Sequence, residues 1–273
     1  MQRTWIMIKC GCVTILALAA VFIGGCSQSP SDVFQGYVEG EYVYVGSPLG
    51  GTLTNLAVAR GDEVKSGQLL FILERGSEGD ALKSAEDNLT QARANLKLSE
   101  SVLARRQELR SNNGVISPEE LEQAQMQHDT DAAEVSSLQA AVKKAKWSFD
   151  QKEQFAPTNA FVQDTLYRQG EYVSAGNPIV VLLPPTNIKT RFFVPQELLP
   201  RIKPGETVTV TFDGMPHPYS ATVSYISTQN EFTPPVIYNR ENRSKLVYMI
   251  EAKFSAEDAP DLRPGQPVDV KIP

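Results

Sequence analysis

The stretch Gly61-Asp-Glu-Val-Lys-Ser-Gly67, followed by the apolar run Leu69-Leu-Phe-Ile-Leu73, occurs twice in this chain. Its second copy is Gly170-Glu-Tyr-Val-Ser-Ala-Gly176, followed by Ile179-Val-Val-Leu182. Gly61 and Gly170, Val64 and Val173, Gly67 and Gly176, and Pro48 and Pro157 all stand 109 residues apart. A fixed offset of this kind marks two copies of one structural unit. In Gly-x-x-Val-x-x-Gly the glycines permit tight turns and the valine between them points into a core. The apolar run that follows reads as a buried strand. Before the first copy, Phe34-Gln-Gly-Tyr-Val-Glu-Gly-Glu-Tyr-Val-Tyr-Val45 alternates in the manner of a strand. Residues 34–75 and 155–184 therefore read as two halves of one small β module.

The insert between the halves, residues 77–153, has a different period. Leu82, Leu89, Leu96 and Leu103 are spaced by seven, with Ala85, Ala92 and Ser99 three residues after the first three. Leu121, His128, Val135, Val142 and Phe149 repeat the spacing, accompanied by Ala124, Asp131, Leu138 and Ala145. These are two heptad seams, and they predict a coiled-coil hairpin. Ser111-Asn-Asn-Gly114 is the turn signal between the arms. Ser117-Pro-Glu-Glu120 opens the second helix, with a serine cap, a proline at the first position and a glutamate to close a capping box. His128 and Asp131 fall on seam positions and read as a polar break in a thin core or a contact to another subunit.

From residue 186 to residue 273 the chain reads as short antiparallel strands. Thr207–Phe212, Ala221–Ile226, Val247–Phe254 and Val268–Ile272 alternate, and Pro204-Gly205 and Pro264-Gly265 are turn signals. Such a series predicts a small barrel. Val194–Leu199 is a short-helix candidate. Phe232-Thr-Pro-Pro-Val-Ile-Tyr238 is expected in a loop or edge, because paired prolines do not enter a central strand.

The N-terminal 26 residues read as a targeting segment. Arg3 and Lys9 precede an apolar run that ends in Ile23-Gly-Gly-Cys26. This resembles a bacterial lipobox, with Cys26 lipidated as the new N-terminus. The other reading is an uncleaved signal anchor, since residues 5–26 approach the length of a membrane span. Both place the body outside the cytoplasm, tethered to a membrane. Cys10, Cys12 and Cys26 are the only cysteines, so no disulfide framework or thiolate metal cage is available to the body. Cys10 and Cys12 lie inside the apolar segment, and Met126, Met215 and Met249 are isolated from one another in sequence. With 26 basic and 32 acidic residues the net charge is −6, which argues against nucleic acid as a partner. Two histidines leave little for His-based catalysis, and no triad, Walker loop or paired-carboxylate site stands out. No enzymatic activity is expected. Arg60-Gly-Asp62 spells an adhesion tripeptide but sits in a turn of the repeat.

Two halves of this kind packed face to face resemble the biotinyl/lipoyl carrier domain. The carrier lysine of that family sits on a tight turn joining the halves. Here the hairpin insert replaces that turn, so a swinging cofactor has no attachment point and no cofactor is expected. The order anchor, half-module, helical hairpin, half-module, β-barrel resembles the HlyD-like membrane fusion proteins, or periplasmic adaptors. Gly36–Val43, Phe232-Thr-Pro-Pro235 and Arg263-Pro-Gly-Gln-Pro-Val268 resemble members that accompany ABC-type exporters. The resemblance implies an elongated α+β molecule: a split lipoyl-like domain, an inserted hairpin and a small antiparallel barrel. It also implies a role, in which a ring-like homo-oligomer bridges an inner-membrane transporter to an outer-membrane channel of the TolC type. In that family the hairpin tip carries Arg-x-x-x-Leu, six residues, then Ser. Arg106 and Ser117 stand at this spacing, while Arg110 occupies the leucine position and Leu109 lies one residue early. Few residues follow the last strand, so transporter contact is expected mainly from the barrel and the N-terminal segment. The alternative is an envelope lipoprotein scaffold whose hairpin binds some other partner.

Overall fold

The computed structural model describes residues 32–113, 116–232, 246–255, 257–258 and 262–272. The targeting segment with Cys26, Gly114 of the expected turn with Val115, and the Pro234-Pro235 segment lie outside them. Two compact units are formed. One comprises residues 39–189 and 255–264, and the other residues 190–254 and 265–273 with the N-terminal part of the chain.

In the first unit the repeat becomes a pseudo-two-fold pair of sheets. One sheet has the order β2 (Val43–Gly46), β9 (Pro178–Leu183), β7 (Ala160–Thr165), β4 (Glu63–Val64). The other has the order β6 (Glu153–Phe155), β5 (Leu69–Leu73), β3 (Gly51–Leu56), β8 (Tyr172–Val173). Each sheet draws strands from both halves, so neither half can form its sheet alone. The symmetry reaches individual bonds. Gly61 N–H donates to Val162 O at 2.8 Å, and Gly170 N–H donates to Leu53 O at 2.8 Å. These donors and acceptors are 109-residue equivalents. Val64 and Val173 are buried, as are Leu53, Leu70, Phe71, Leu73, Ile179 and Leu182 around them. Gly61 and Gly170 have φ of 94° and 95°, a region where an L side chain costs about 1–2 kcal/mol.

The hairpin consists of α1 (Gly76–Asn113) and α2 (Pro118–Asp150). Every seam position named above from α2 is buried or half-buried, and Leu89, Ala92 and Val135 form its compact centre. The apolar stripe is narrow, so the two helices cover only each other. Ser111–Asn113 belong to the last turn of α1 rather than to the connection, because their backbone continues the helical ladder up to the connecting residues.

The second unit is a closed six-stranded barrel. Its order is β1 (Val33–Gly40), β10 (Ile188–Pro195), β13 (Leu246–Phe254), β12 (Tyr219–Phe232), β11 (Thr207–Thr211), β14 (Pro267–Lys271). Val208, Val210 and Phe212 face its core as their alternation requires, with Phe212 edge-on to Tyr219 at 5.3 Å. Both Pro-Gly pairs form turns with Gly205 and Gly265 at φ of 88° and 90°. Two expectations are corrected. Residues 34–40 are not part of the lipoyl-like half: β1 pairs with β14, Phe34 opposite Val270. Alternation alone states that a strand is half-buried but not which sheet receives it. Gly36 suits this place, because a Cβ there would collide with the Arg191 carbonyl oxygen on β10. The short helix is also displaced: Val194 and Pro195 end β10, and a single 3₁₀ turn follows at Leu199–Arg201.

Gly170→Ala tests the turn argument, since the added methyl meets no atom within 4 Å and the cost is conformational alone. A loss of about 1–2 kcal/mol in denaturant unfolding is expected, and an unchanged midpoint would contradict it.

Candidate functional site

Polar contacts concentrate at two places on the hairpin, its tip and its base. At the tip, Ser117 caps α2 with φ −68° and ψ 151°. Its hydroxyl accepts from the Glu120 N–H at 3.2 Å, and its own N–H donates to Glu120 Oε2 at 3.0 Å. Pro118 takes the first position, whose missing N–H costs nothing there. Glu119 and Glu120 complement the positive end of the helix dipole. Two arginines of α1 reach across: Arg106 Nη1 donates to Glu120 O at 2.7 Å, and Arg110 Nη1 donates to Ile116 O at 2.6 Å. Both close the end of the hairpin. Leu109 points outward and is 41% exposed. All four tip residues named from the sequence thus lie at one end of the hairpin: Leu109, Arg110 and Ser117 are exposed and Arg106 is half-buried. The bracing role of the two arginines has no signal in spacing alone.

The base was not anticipated from the sequence. Lys152, the second residue after α2, is 4% exposed. Its Nζ donates to Gly50 O at 2.7 Å and lies 3.0 Å from Glu78 Oε1 in the first turn of α1. Arg75, just before α1, meets Glu153 at 2.8 Å and stacks over the Phe149 ring at 4.7 Å. Ser47 Oγ, itself buried, donates to Gln151 O at 2.7 Å. Both helices are therefore fastened to each other and to the lipoyl-like sheets at one knot. Burial pushes the Glu78 carboxyl up, but the Lys152 ammonium and the Ser77 hydroxyl outweigh it and hold it below the ordinary carboxylate value.

His128 and Asp131 do not form a joint site. His128 Nδ1 lies 3.0 Å from exposed Asp129, whereas Asp131 is buried and accepts from Gln127 Nε2 at 2.7 Å. Among the described residues there is no cluster of His, Cys, Asp or Glu able to hold a metal ion. None of the described helices is long and apolar enough to cross a membrane.

With this geometry in hand the relatives become informative. Residues 81–152 match the family model for the α-helical hairpin domain of the RND membrane fusion proteins. The chain is 26% identical over 95% of its length to a UPF0194 membrane protein of Enterobacter sp. strain 638, covering 96% of that protein. It is 27% identical to the UPF0194 membrane protein YbhG of Salmonella gallinarum, over 95% of this chain and 96% of that one. Among solved structures, the membrane fusion protein Spr0693 of Streptococcus pneumoniae R6 superposes with a TM-score of 0.65 at 20% identity, covering 88% of this chain and 98% of that one. MacA of Actinobacillus actinomycetemcomitans superposes with a TM-score of 0.60 at 19% identity, covering 88% and 78%. The chain thus carries a hairpin like that of the RND membrane fusion proteins and a fold like that of solved membrane fusion proteins.

Lys152→Ala leaves Glu78 without its cation and Gly50 without its donor. A loss of about 2–3 kcal/mol in the unfolding of the β module is expected, read from denaturant titration. The Glu78 contribution has a defined pH sense. Its folded value is depressed, so the stabilisation is present above the ordinary carboxylate range and fades as pH falls through the lowered value. Glu78→Gln should therefore flatten the acid limb of the stability curve, and a limb unchanged by the substitution would refute the assignment.

Proposed function

We propose that the chain is the periplasmic adaptor of a tripartite export system. It bridges an inner-membrane transporter, of the ABC type in preference, to an outer-membrane channel of the TolC type. It acts as a ring-like homo-oligomer, held to the membrane by its N-terminal segment through Cys26. The observation that carries this reading is the inserted hairpin: two long helices project from a β module and bury little beyond each other. A compact enzyme has no use for such an arm, whereas a bridging protein needs reach. At 1.5 Å per residue the arms span about 50–57 Å. The resemblance to membrane fusion proteins supports the same reading. Arg106, Leu109, Arg110 and Ser117 form the docking end, with Leu109 as the outward contact and the other three holding the end in shape.

One feature favours the rival reading of an envelope scaffold: Arg110 occupies the position where the family pattern has leucine, and its guanidinium is turned onto Ile116 O. Leu109→Asp separates the two readings, because it alters an exposed side chain and leaves the cap and both arginine bonds in place. Export should fall at least about tenfold at normal protein level, consistent with loss of a docking anchor. Unchanged export would favour the scaffold. Purification of the full chain in mild detergent should recover an inner-membrane transporter, and consistent failure to do so overturns the adaptor reading. Intact-mass measurement should find acyl chains on Cys26 and no biotin or lipoate on any lysine.

A further inference from the structure

The two flanks of the hairpin differ in a way that the adaptor reading leaves unused. On one flank a groove of about 320 Å³ opens between the helices, lined by Asn95, Leu98 and Val102 of α1 and by Ala124, Gln127 and Asp131 of α2. Asp131 is 8% exposed, and its one hydrogen bond among the described residues comes from a neutral amide, that of Gln127. A buried carboxylate without a cation is costly, so this groove is incomplete within the single chain. Leu98 stands on its rim and is 66% exposed. Glu134, one turn along α2 from Asp131, is exposed and adds a second negative charge on the same side. At about 100° per residue it lies roughly 20° from the direction of Gln127.

The opposite flank carries two exposed cations, with an exposed acid, Glu100, on the same face. Arg93 and Lys97 each stand two residues from Asn95, so each points about 160° away from the groove. Both are exposed, and neither makes an ion pair among the described residues. Their height along the hairpin is that of the acids. Val135 packs with Leu89 and Ala92, while Asp131 lines the groove with Asn95 and Ser99. Asp131 therefore lies between the levels of Ala92 and Ser99, where Arg93 and Lys97 are found.

We infer that the groove is completed by a second copy of this chain, whose Arg93 and Lys97 pair with Asp131 and Glu134. The aliphatic stem of the arginine covers Leu98 and Val102 while its head reaches the carboxylates. Donor and acceptor patches lie on opposite flanks at equal height, so the contact is head-to-tail between side-by-side hairpins. Such a heterologous contact repeats around a ring. This inference rests on the self-assembly in the adaptor reading, and names its contacts.

The test uses the full chain in mild detergent, with assembly followed by light scattering over a dilution series. Reversal is made at exposed positions, because Asp131→Lys would disturb the seam itself. Glu134→Lys alone, and Arg93→Glu with Lys97→Glu, should each raise the midpoint concentration of assembly about tenfold. Combining all three should restore most of the loss, and circular dichroism should show unchanged helicity throughout. Asp131→Asn should weaken the dependence of assembly on salt. The inference is overturned by single-flank variants that assemble normally, by a combined variant no better than its parents, or by a native chain that stays monomeric. Transporter recovery measured on the same variants keeps the outcomes apart: a transporter bound to a chain whose flanks show no coupling retains the adaptor reading and removes this contact.

Discussion

Lys152 is the point on which the molecule is organised. Its ammonium joins three segments distant in sequence: the turn before β3 through Gly50, the first turn of α1 through Glu78, and the residues leaving α2. A lysine buried to this degree survives because its charge is opposed by a carboxylate and its protons find a carbonyl. The same knot includes Arg75 with Glu153 and Phe149, and Ser47 with the end of α2. Without it a long two-helix arm would be joined to its module only by two chain crossings. A narrow hairpin seam sets the distance between two helices but not their direction with respect to anything else, and the knot supplies that direction.

The two-fold relation of the sheets explains why an insert is tolerated there. Strands β3 and β5 of the first half are completed by β6 and β8 of the second, and strands β7 and β9 of the second by β2 and β4 of the first. The halves need each other whatever joins them. A connection of any length is therefore admissible if its ends return to the same place, since loop closure costs grow only slowly with length. A hairpin of two antiparallel helices meets that condition, because it begins and ends at one level.

Much of this was legible in the sequence, for a definable reason. Heptads, the 109-residue repeat and the Ser117 capping box are local or periodic, and their physics is the same wherever the chain places them. Buried Val64 and Val173 and half-buried Leu96 and Leu138 are where their spacing puts them. What escaped depends on pairing over long separations. The strand Val33–Gly40 alternates equally well for either sheet, and only its pairing with Pro267–Lys271 assigns it to the barrel. Lys152 and Glu78 are two among many charged residues until folding brings them to 3.0 Å. The tip residues lie together at one end of the hairpin, but the turn of Arg106 and Arg110 onto α2 follows from carbonyls that α2 presents only once it is capped.

The tip and the flanks divide the labour of the arm according to what each can bear. At the tip, Arg106, Arg110, Ser117 and Glu120 are committed to holding two helix ends together, and Leu109 stands beside them as an exposed apolar side chain. Along the shaft the seam is thin, and one carboxylate, Asp131, occupies a place where an apolar residue would pack better. An apolar seam would hold the hairpin more tightly but would give its flanks no means of distinguishing one neighbour from another. A buried charge costs stability in the single chain and sets the register with which a second chain is accepted. In a hairpin already fastened at its base, that cost falls on a part of the molecule whose fold does not depend on it.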